Sequence, residues 1–124
     1  MMPVNFPLPM YRGDTFRSVF RFWSDAEKTM PADLTGVVAK AEIRNRPGGT
    51  IIVPMACVID QNLVTVSLTA DETGVLPSSA AVWDLQFTYP GGDVVTMLAG
   101  AVTVVNDVTD STRPAPGRAV ASVR

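Results

Sequence analysis

Few side chains in this sequence have the type and spacing that chemistry requires. Asp60, Gln61 and Asn62 place three oxygen-bearing side chains in a row. A calcium site collects about 6–8 oxygens in one loop, so a turn is the better interpretation of this run. Asp71 and Glu72 are adjacent carboxylates, but sequence neighbours do not converge on one substrate. We therefore predict no metal site and no pair of catalytic acids.

The sequence lacks the residue types that usually support a nucleophile or a zinc ion. The chain contains no histidine and a single cysteine, Cys57, whereas zinc sites draw on both residue types and serine nucleophiles usually need a histidine base. Lys28 and Lys40 could replace that base, but no supporting motif surrounds them. Cys57 lies in an apolar stretch, where a small buried hydrophobic residue is expected. The prediction is a protein that is not an enzyme and needs no cofactor.

Composition limits the partners. Ten Lys and Arg residues against twelve Asp and Glu give a net charge of −2, without the basic excess typical of nucleic-acid binding. No apolar run approaches the ~20 residues that a membrane-spanning helix needs. Residues 1–10 carry three prolines and no charged side chain, unlike a signal peptide. We expect one domain, with neither nucleic acid nor membrane as a partner.

The elements that would position any site are short apolar runs separated by turn residues. Their centres are often about ten residues apart, which is typical of an all-β sandwich or small barrel. The runs cover residues 15–23, 37–46, 50–58, 62–69, 80–89 and 93–105. Thr69 and Glu72 fit a capping box, which predicts one helical turn over residues 70–76.

The alternation of side chains and the positions of glycine and proline add detail to these runs. Alternation places four residues of a run on the same face of its strand. They are Phe16, Ser18, Phe20 and Phe22 in the first run, and Trp83, Leu85, Phe87 and Tyr89 in the fifth. Gly100 interrupts the last run, where glycine usually marks a bulge, a bend or a close approach of another backbone. Pro54 restricts the centre of the third run to a sheet edge or a bulge.

Two surface motifs have both a structural and a functional interpretation. Arg12-Gly13-Asp14 spells a receptor-binding tripeptide, but Gly13 suits a turn that opens the first strand, and we favour the turn. Four basic residues lie on the outward faces of the first two strands: Arg17, Arg21, Lys40 and Arg44. If those strands are neighbours, the four residues form a basic stripe, which is either a solvated face or an interface with an acidic partner.

The order of several short motifs resembles that in a known family. They are Tyr11-Arg-Gly-Asp-Thr-Phe16, Ala32-Asp-Leu-Thr-Gly36, Ala41-Glu-Ile-Arg44, Trp83-Asp-Leu-Gln-Phe-Thr-Tyr89, Leu98-Ala-Gly-Ala-Val-Thr-Val104 and Val108-Thr109. In this order they resemble small immunoglobulin-like β-sandwich virion proteins of tailed bacteriophages and are similar to the N-terminal domain of phage baseplate upper proteins. Together with the apolar runs, this resemblance predicts an antiparallel immunoglobulin-like β-sandwich of about seven strands with one short helical turn.

The resemblance implies a structural part of the virion, made in the cytoplasm of the bacterial host, that contacts other virion proteins and copies of itself. We expect a minor tail or baseplate component. A capsid decoration or minor capsid protein is an alternative, because residues 110–124 replace the long extension of baseplate upper proteins. A carbohydrate-binding module for a host surface glycan is a further alternative, with candidate aromatic residues Tyr11, Trp23, Trp83 and Tyr89.

The flanks of the domain are expected to contact neighbouring subunits. We predict an extended arm over residues 1–10, the sandwich over residues 11–109 and an extended tail over residues 110–124. Prolines in both flanks reduce the entropy lost when an extended segment docks. The candidate partner-binding residues are Phe6 and Leu8 as apolar anchors, and Arg113, Arg118 and Arg124 as partners of acidic surfaces.

Overall fold

The computed structural model describes residues 3–77 and 80–106 in full and residues 119–123 by their backbone. Nine strands and one short helix form within these residues. They are β1 (Val4–Asn5), β2 (Leu8–Tyr11), β3 (Phe16–Phe22), β4 (Val38–Arg44), β5 (Ile51–Asp60), β6 (Leu63–Leu68), α1 (Ala70–Gly74), β7 (Ala81–Thr88), β8 (Val94–Val105) and β9 (Ala119–Val123).

The strands form two sheets that share β5. In the first, called the β7 sheet, β1 and β2 lie on β8, which is followed by β7, β4 and the first half of β5. In the second, called the β3 sheet, the second half of β5 is followed by β6, β3 and β9. The strand β5 passes between the sheets after Met55, because Met55 pairs with β4 and Ala56 pairs with β6.

The core lies between the two sheets, where the alternation places the aromatic side chains. Phe20 in β3 stacks on Trp83 in β7 with ring centroids 5.8 Å apart. The ring centroids of Phe22 and Phe87 are 5.0 Å apart, and both side chains are buried. Burial of one such side chain stabilises the fold by roughly 1.5–3 kcal/mol. These contacts across the two sheets confirm a β-sandwich.

The prediction of an antiparallel sandwich is wrong at the sheet edges. The strands β1 and β2 run parallel to β8, and β9 runs parallel to β3, while the other pairs are antiparallel. Alternation of apolar residues gives the face of a strand but not its direction, which depends on the connection that delivers it to the sheet. The immunoglobulin-like topology stays a prediction.

The predicted domain limits stay a prediction, but described parts of both flanks pair with the sandwich. From Val4 onward the N-terminal arm expected over residues 1–10 belongs to the β7 sheet of its own chain. In the tail expected over residues 110–124, the described residues 119–123 form β9, and the rest lie outside the described residues. The strand number exceeds seven because these flanking segments pair with the edges of the sandwich.

The short helix begins as the sequence predicts. The backbone N–H of Glu72 donates to the Thr69 hydroxyl at 3.2 Å, and the backbone N–H of Thr69 donates to the Glu72 carboxylate at 2.8 Å. This reciprocal pair is the capping box, which satisfies two N–H groups that the first helical turn leaves without partners. Leu76, just beyond the helix, is buried in the core.

Thr73 connects this helix to the turn before β3 through hydrogen bonds. Its buried hydroxyl accepts a hydrogen bond from the backbone N–H of Gly13 at 3.0 Å and donates one to the carbonyl of Asp14 at 2.7 Å. Gly13 has a φ of +85°, a conformation that favours glycine, and Asp14 is only 7% exposed. The tripeptide Arg12-Gly13-Asp14 is therefore a turn packed against the helix.

Replacing Thr73 by valine is expected to lower the free energy of unfolding by about 2 kcal/mol, because the isosteric side chain leaves a partly buried N–H and a buried carbonyl without their partner. Chemical denaturation of the purified protein measures this change. Thr73→Ser is the matched control: it keeps the hydroxyl and removes one methyl group, so a loss of about 1 kcal/mol is expected. Equal losses for the two variants would contradict a role for the hydroxyl.

Candidate functional site

The two apolar residues proposed as anchors are part of the protein's own core. Leu8 is 2% exposed, and β2 places it in register with Val102 of β8. Phe6 is half-buried, and its ring meets Phe20 edge-on with centroids 5.0 Å apart. In this conformation the sandwich of its own chain encloses the Leu8 side chain, and contact of Leu8 with a neighbouring subunit stays a prediction.

The backbone of Phe6 is fixed as firmly as its ring. Its carbonyl accepts a hydrogen bond from the indole N–H of Trp83 at 2.8 Å, and its N–H donates to the carbonyl of Ala99 at 2.9 Å. A Cβ added to Gly100 would lie 2.7 Å from the carbonyl carbon of Phe6 and closer still to its oxygen. Gly100 thus marks a close backbone approach, one of the three interpretations that the sequence left open.

The basic stripe expected on neighbouring strands does not form. The strands β3 and β4 lie in different sheets, so Arg17 and Arg21 lie on the outer side of the β3 sheet, whereas Lys40 and Arg44 lie on that of the β7 sheet. The three arginines Arg113, Arg118 and Arg124 lie outside the described residues.

A groove of about 630 Å³ crosses the outer side of the β7 sheet. It lies between the N-terminal strand and the hairpin that joins β4 to β5, and β4, β7 and β8 contribute to its lining. Its lining includes Asn5, Glu42, Arg44, Pro47, Asp84 and Gln86. We call it the acidic groove, after the two carboxylates that it contains.

Those two carboxylates belong to directly opposed residues. Glu42 in β4 is in register with Asp84 in β7, which places their Cβ atoms roughly 4.5–5.5 Å apart. The Arg44 guanidinium donates to Glu42 at 2.9 Å, and the Lys40 ammonium lies 3.5 Å from the other Glu42 oxygen. Within the part of the chain that the structure describes, Asp84 has neither a hydrogen bond nor an ion pair through its side chain.

Its surroundings make the ionised form of Asp84 costly. Burial raises the pKa of the Asp84 carboxyl above its ordinary value of 3.8, the adjacent charge of Glu42 raises it further, and Arg44 opposes both effects. The folded state therefore holds a proton on Asp84 more tightly than the unfolded chain does. Ionised Asp84 lowers stability above its folded pKa, and this cost disappears below the unfolded value.

Replacing Asp84 by asparagine is accordingly expected to raise the free energy of unfolding at pH 7, since asparagine cannot ionise. The advantage over the natural protein should vanish as the pH falls below about 4, the ordinary range of an aspartate. Denaturation curves recorded from pH 7 to pH 3 measure it. A variant that is less stable than the natural protein at pH 7 would show that Asp84 stabilises the sheet.

Asp33→Asn is a control for which the opposite change in stability is expected. Hydrogen bonds from the hydroxyl and backbone N–H of Thr35, at 2.7 and 3.0 Å, lower the pKa of Asp33. This stabilisation is present above the unfolded pKa and is lost as the pH falls through the lowered folded value. The asparagine variant should therefore be less stable at pH 7 and converge with the natural protein in acid.

The aromatic residues considered for glycan binding are scattered. Trp83 is 2% exposed and belongs to the core, and Tyr89 packs against Phe87. Tyr11 precedes β3, whereas Trp23 directly follows it, so the two lie at opposite ends of that strand. The structure does not bring the four together as a stacking surface.

The remaining polar candidates have structural roles. Gln61 adopts a φ of +57° in the turn between β5 and β6, and the Asn62 amide donates to the Phe22 carbonyl at 2.9 Å. Cys57 is half-buried and packs against the core, and burial raises the pKa of its thiol. Among the described residues, no group of three or more metal-binding side chains is present, and no helix is long and apolar enough to cross a membrane.

Comparison with known proteins gives a family but little beyond it. No curated protein is significantly similar to the chain. Among solved structures, CopC from Methylosinus trichosporium OB3b matches with 17% identity and a TM-score of 0.36, over 60% of this chain and 72% of that one; a likeness this distant carries no argument. The family model "LtfC-like, beta-sandwich domain" matches residues 3–105, which include β1 to β8, and LtfC is a phage-associated protein. The chain therefore belongs to the family of LtfC-like β-sandwich domains.

Proposed function

We propose that this protein is a non-enzymatic structural component of a tailed bacteriophage particle, and specifically a minor tail or baseplate component. The observation that carries the proposal is the phage-type family match over residues 3–105, which spans the sandwich from its N-terminal edge strand to the end of β8. The motif order that resembles baseplate upper proteins favours the tail over the capsid.

The geometry supports a scaffold role. Three contacts fix the N-terminal segment that contains β1 and β2. They are the burial of the Leu8 side chain, the hydrogen bond from the Trp83 indole to the Phe6 carbonyl, and the close approach of the Phe6 backbone to Gly100. Such a domain presents two broad sheet faces in a fixed orientation, as a repeated building block requires. The faces also differ in their charged groups. The acidic groove has carboxylates beside Lys40 and Arg44, whereas β3 presents Arg17 and Arg21 on the other face.

Labelled particles test the proposal. A short epitope inserted between Gly91 and Gly92, in the exposed turn that joins β7 to β8, should leave the sheets unchanged, because loop tips tolerate insertions. Electron microscopy with a gold-labelled antibody is expected to show label at a single vertex or at the tail tip. Label over the whole shell would support the capsid decoration alternative, and intact particles without label would contradict both roles. Binding of the antibody to the purified tagged protein is the control.

A further inference from the structure

The edges of the β7 sheet are poorly suited to pairing with another copy. Pro9 lies in β2 at one edge, and Pro54 lies in the first half of β5 at the other. Proline has no backbone N–H to donate, and natural edge strands use it to block the addition of further strands. Contacts between copies through this sheet are therefore expected to use its outer face.

Asp84, on the outer face of the β7 sheet, forms no ion pair and no side-chain hydrogen bond within the described residues, although Arg44 is near enough to act on its carboxyl. Arg44 and Lys40 are both engaged with Glu42, and neither is in an ion pair with Asp84. On its β8 side, Asp84 is in register with the small apolar Ala99, while Glu42 lies opposite it on β4. The acidic groove thus combines a partly desolvated carboxylate that forms no ion pair with apolar lining residues such as Val82 and Ala99, a combination that suits a guanidinium group on an apolar stem.

The outer face of the β3 sheet carries the complementary group. Arg17 and Arg21 are exposed and point to the same side of β3, with Val19 between them. Their register partners on β6 are Ser67 and Leu63, neither of which carries a charge. Within the described residues neither arginine forms an ion pair. We call this surface the arginine face.

Apolar side chains accompany the charges on this face as well. The row through Val19 continues with Thr65 on β6 and Val58 on β5, and Val58 is 62% exposed. An apolar centre flanked by charged residues is the usual composition of a protein interface. The two faces lie on opposite sides of the sandwich, so one copy can offer both at once.

We propose that the acidic groove of one copy binds an arginine of the arginine face, Arg17 or Arg21, of a second copy of this chain. The inference rests on the structural role proposed above and names copies of the chain as one partner in it. Because the two surfaces are different, the contact is head-to-tail, and its repetition produces a ring or a filament rather than a closed two-fold dimer.

Sedimentation of the purified protein tests the contact. The natural protein is expected to associate as its concentration rises toward about 1 mM, the weak end of specific affinities, and less so in 1 M salt, which screens exposed charges. Asp84→Asn and the double variant Arg17→Gln/Arg21→Gln should each weaken association by at least about tenfold, as loss of one partner of a desolvated charge pair does. Glu27→Gln, an equal charge change at an exposed site between β3 and β4, should leave association unchanged.

Mixing the two variants gives the most specific outcome. The Asp84→Asn protein keeps its arginine face, and the double arginine variant keeps its acidic groove, so an equal mixture should form dimers and nothing larger. The denaturation curves at pH 7 serve as the folding control: loss of association by an Asp84→Asn protein that is still folded is not an effect of unfolding.

Three results would overturn the inference: a natural protein that stays monomeric over the whole concentration range, an Asp84→Asn protein that associates normally, or a variant mixture that stays monomeric. None of them bears on the labelling of particles. A protein found at the tail that fails these tests would keep its proposed function and lose only this contact.

Discussion

Replacing Leu8 by alanine is expected to lower the free energy of unfolding by about 3 kcal/mol, within the range for large-to-small changes in a core. The side chain is 2% exposed and lies in register with Val102, which is also buried. Alanine would leave a cavity at the edge of the β7 sheet, where β2 pairs with β8 alone among the strands that the structure describes. Denaturant unfolding of the purified protein measures the loss.

Val4→Ala is the matched control for this prediction. Val4 belongs to the same N-terminal segment, but its side chain is 41% exposed, so a change of about 0.5 kcal/mol is expected. If the two variants lose the same stability, the N-terminal segment is not packed as the structure shows, and an arm available to neighbouring subunits would again be the better interpretation of residues 1–10.

Replacing Gly100 by alanine is expected to cost about 3 kcal/mol, at the upper end of the range for overpacked sites. The new Cβ would collide with the backbone of Phe6, which cannot rotate away as a side chain tip can. Either β8 or the N-terminal strand must move, and movement of that strand breaks the 2.8 Å bond from Trp83 to the Phe6 carbonyl. Thermal or denaturant unfolding measures the cost.

Gly91→Ala provides the comparison, because no atom lies within 4 Å of the Cβ that it would gain and surface changes of this kind are usually within about 0.5 kcal/mol. A double-mutant cycle sharpens the test. Trp83→Phe removes the hydrogen bond to Phe6, so its cost should be smaller in the Gly100→Ala protein than in the natural one if both changes act on the same strand. Additive costs would contradict this coupling.

Both predictions change how the N-terminal segment can be studied in particles. Deleting residues 1–10 removes Leu8 and Met10, which are buried in the core, and exposes the edge of β8. The truncated protein is therefore expected to be destabilised, and its absence from particles would not by itself demonstrate a docking role. Substitutions on the outer faces, such as Asp84→Asn, avoid this difficulty because they leave the core intact.

Much of the fold is determined by patterns that are local in the sequence. Alternation over seven residues is enough to place Phe20 and Phe22 inward, since successive side chains of a strand point to opposite faces. The capping box at Thr69 and Glu72 and the turn at Gly13 depend on neighbours within three residues or on a single backbone conformation. These features were predicted and are confirmed in the structure.

The positions of the candidate interaction surfaces depend on which strands pair with each other, and no local sequence pattern contains that information. Alternation cannot show that β2 joins β8 in parallel or that β3 and β4 enter different sheets, because strand pairing is decided by contacts between residues far apart in the chain. The same is true of Glu42 and Asp84, which are 42 positions apart in sequence and directly opposed in the sheet. The sequence by itself determined which side of each strand is buried and where the chain turns; only the tertiary structure decided which outward-facing charges become neighbours, since their proximity results from the register between distant strands.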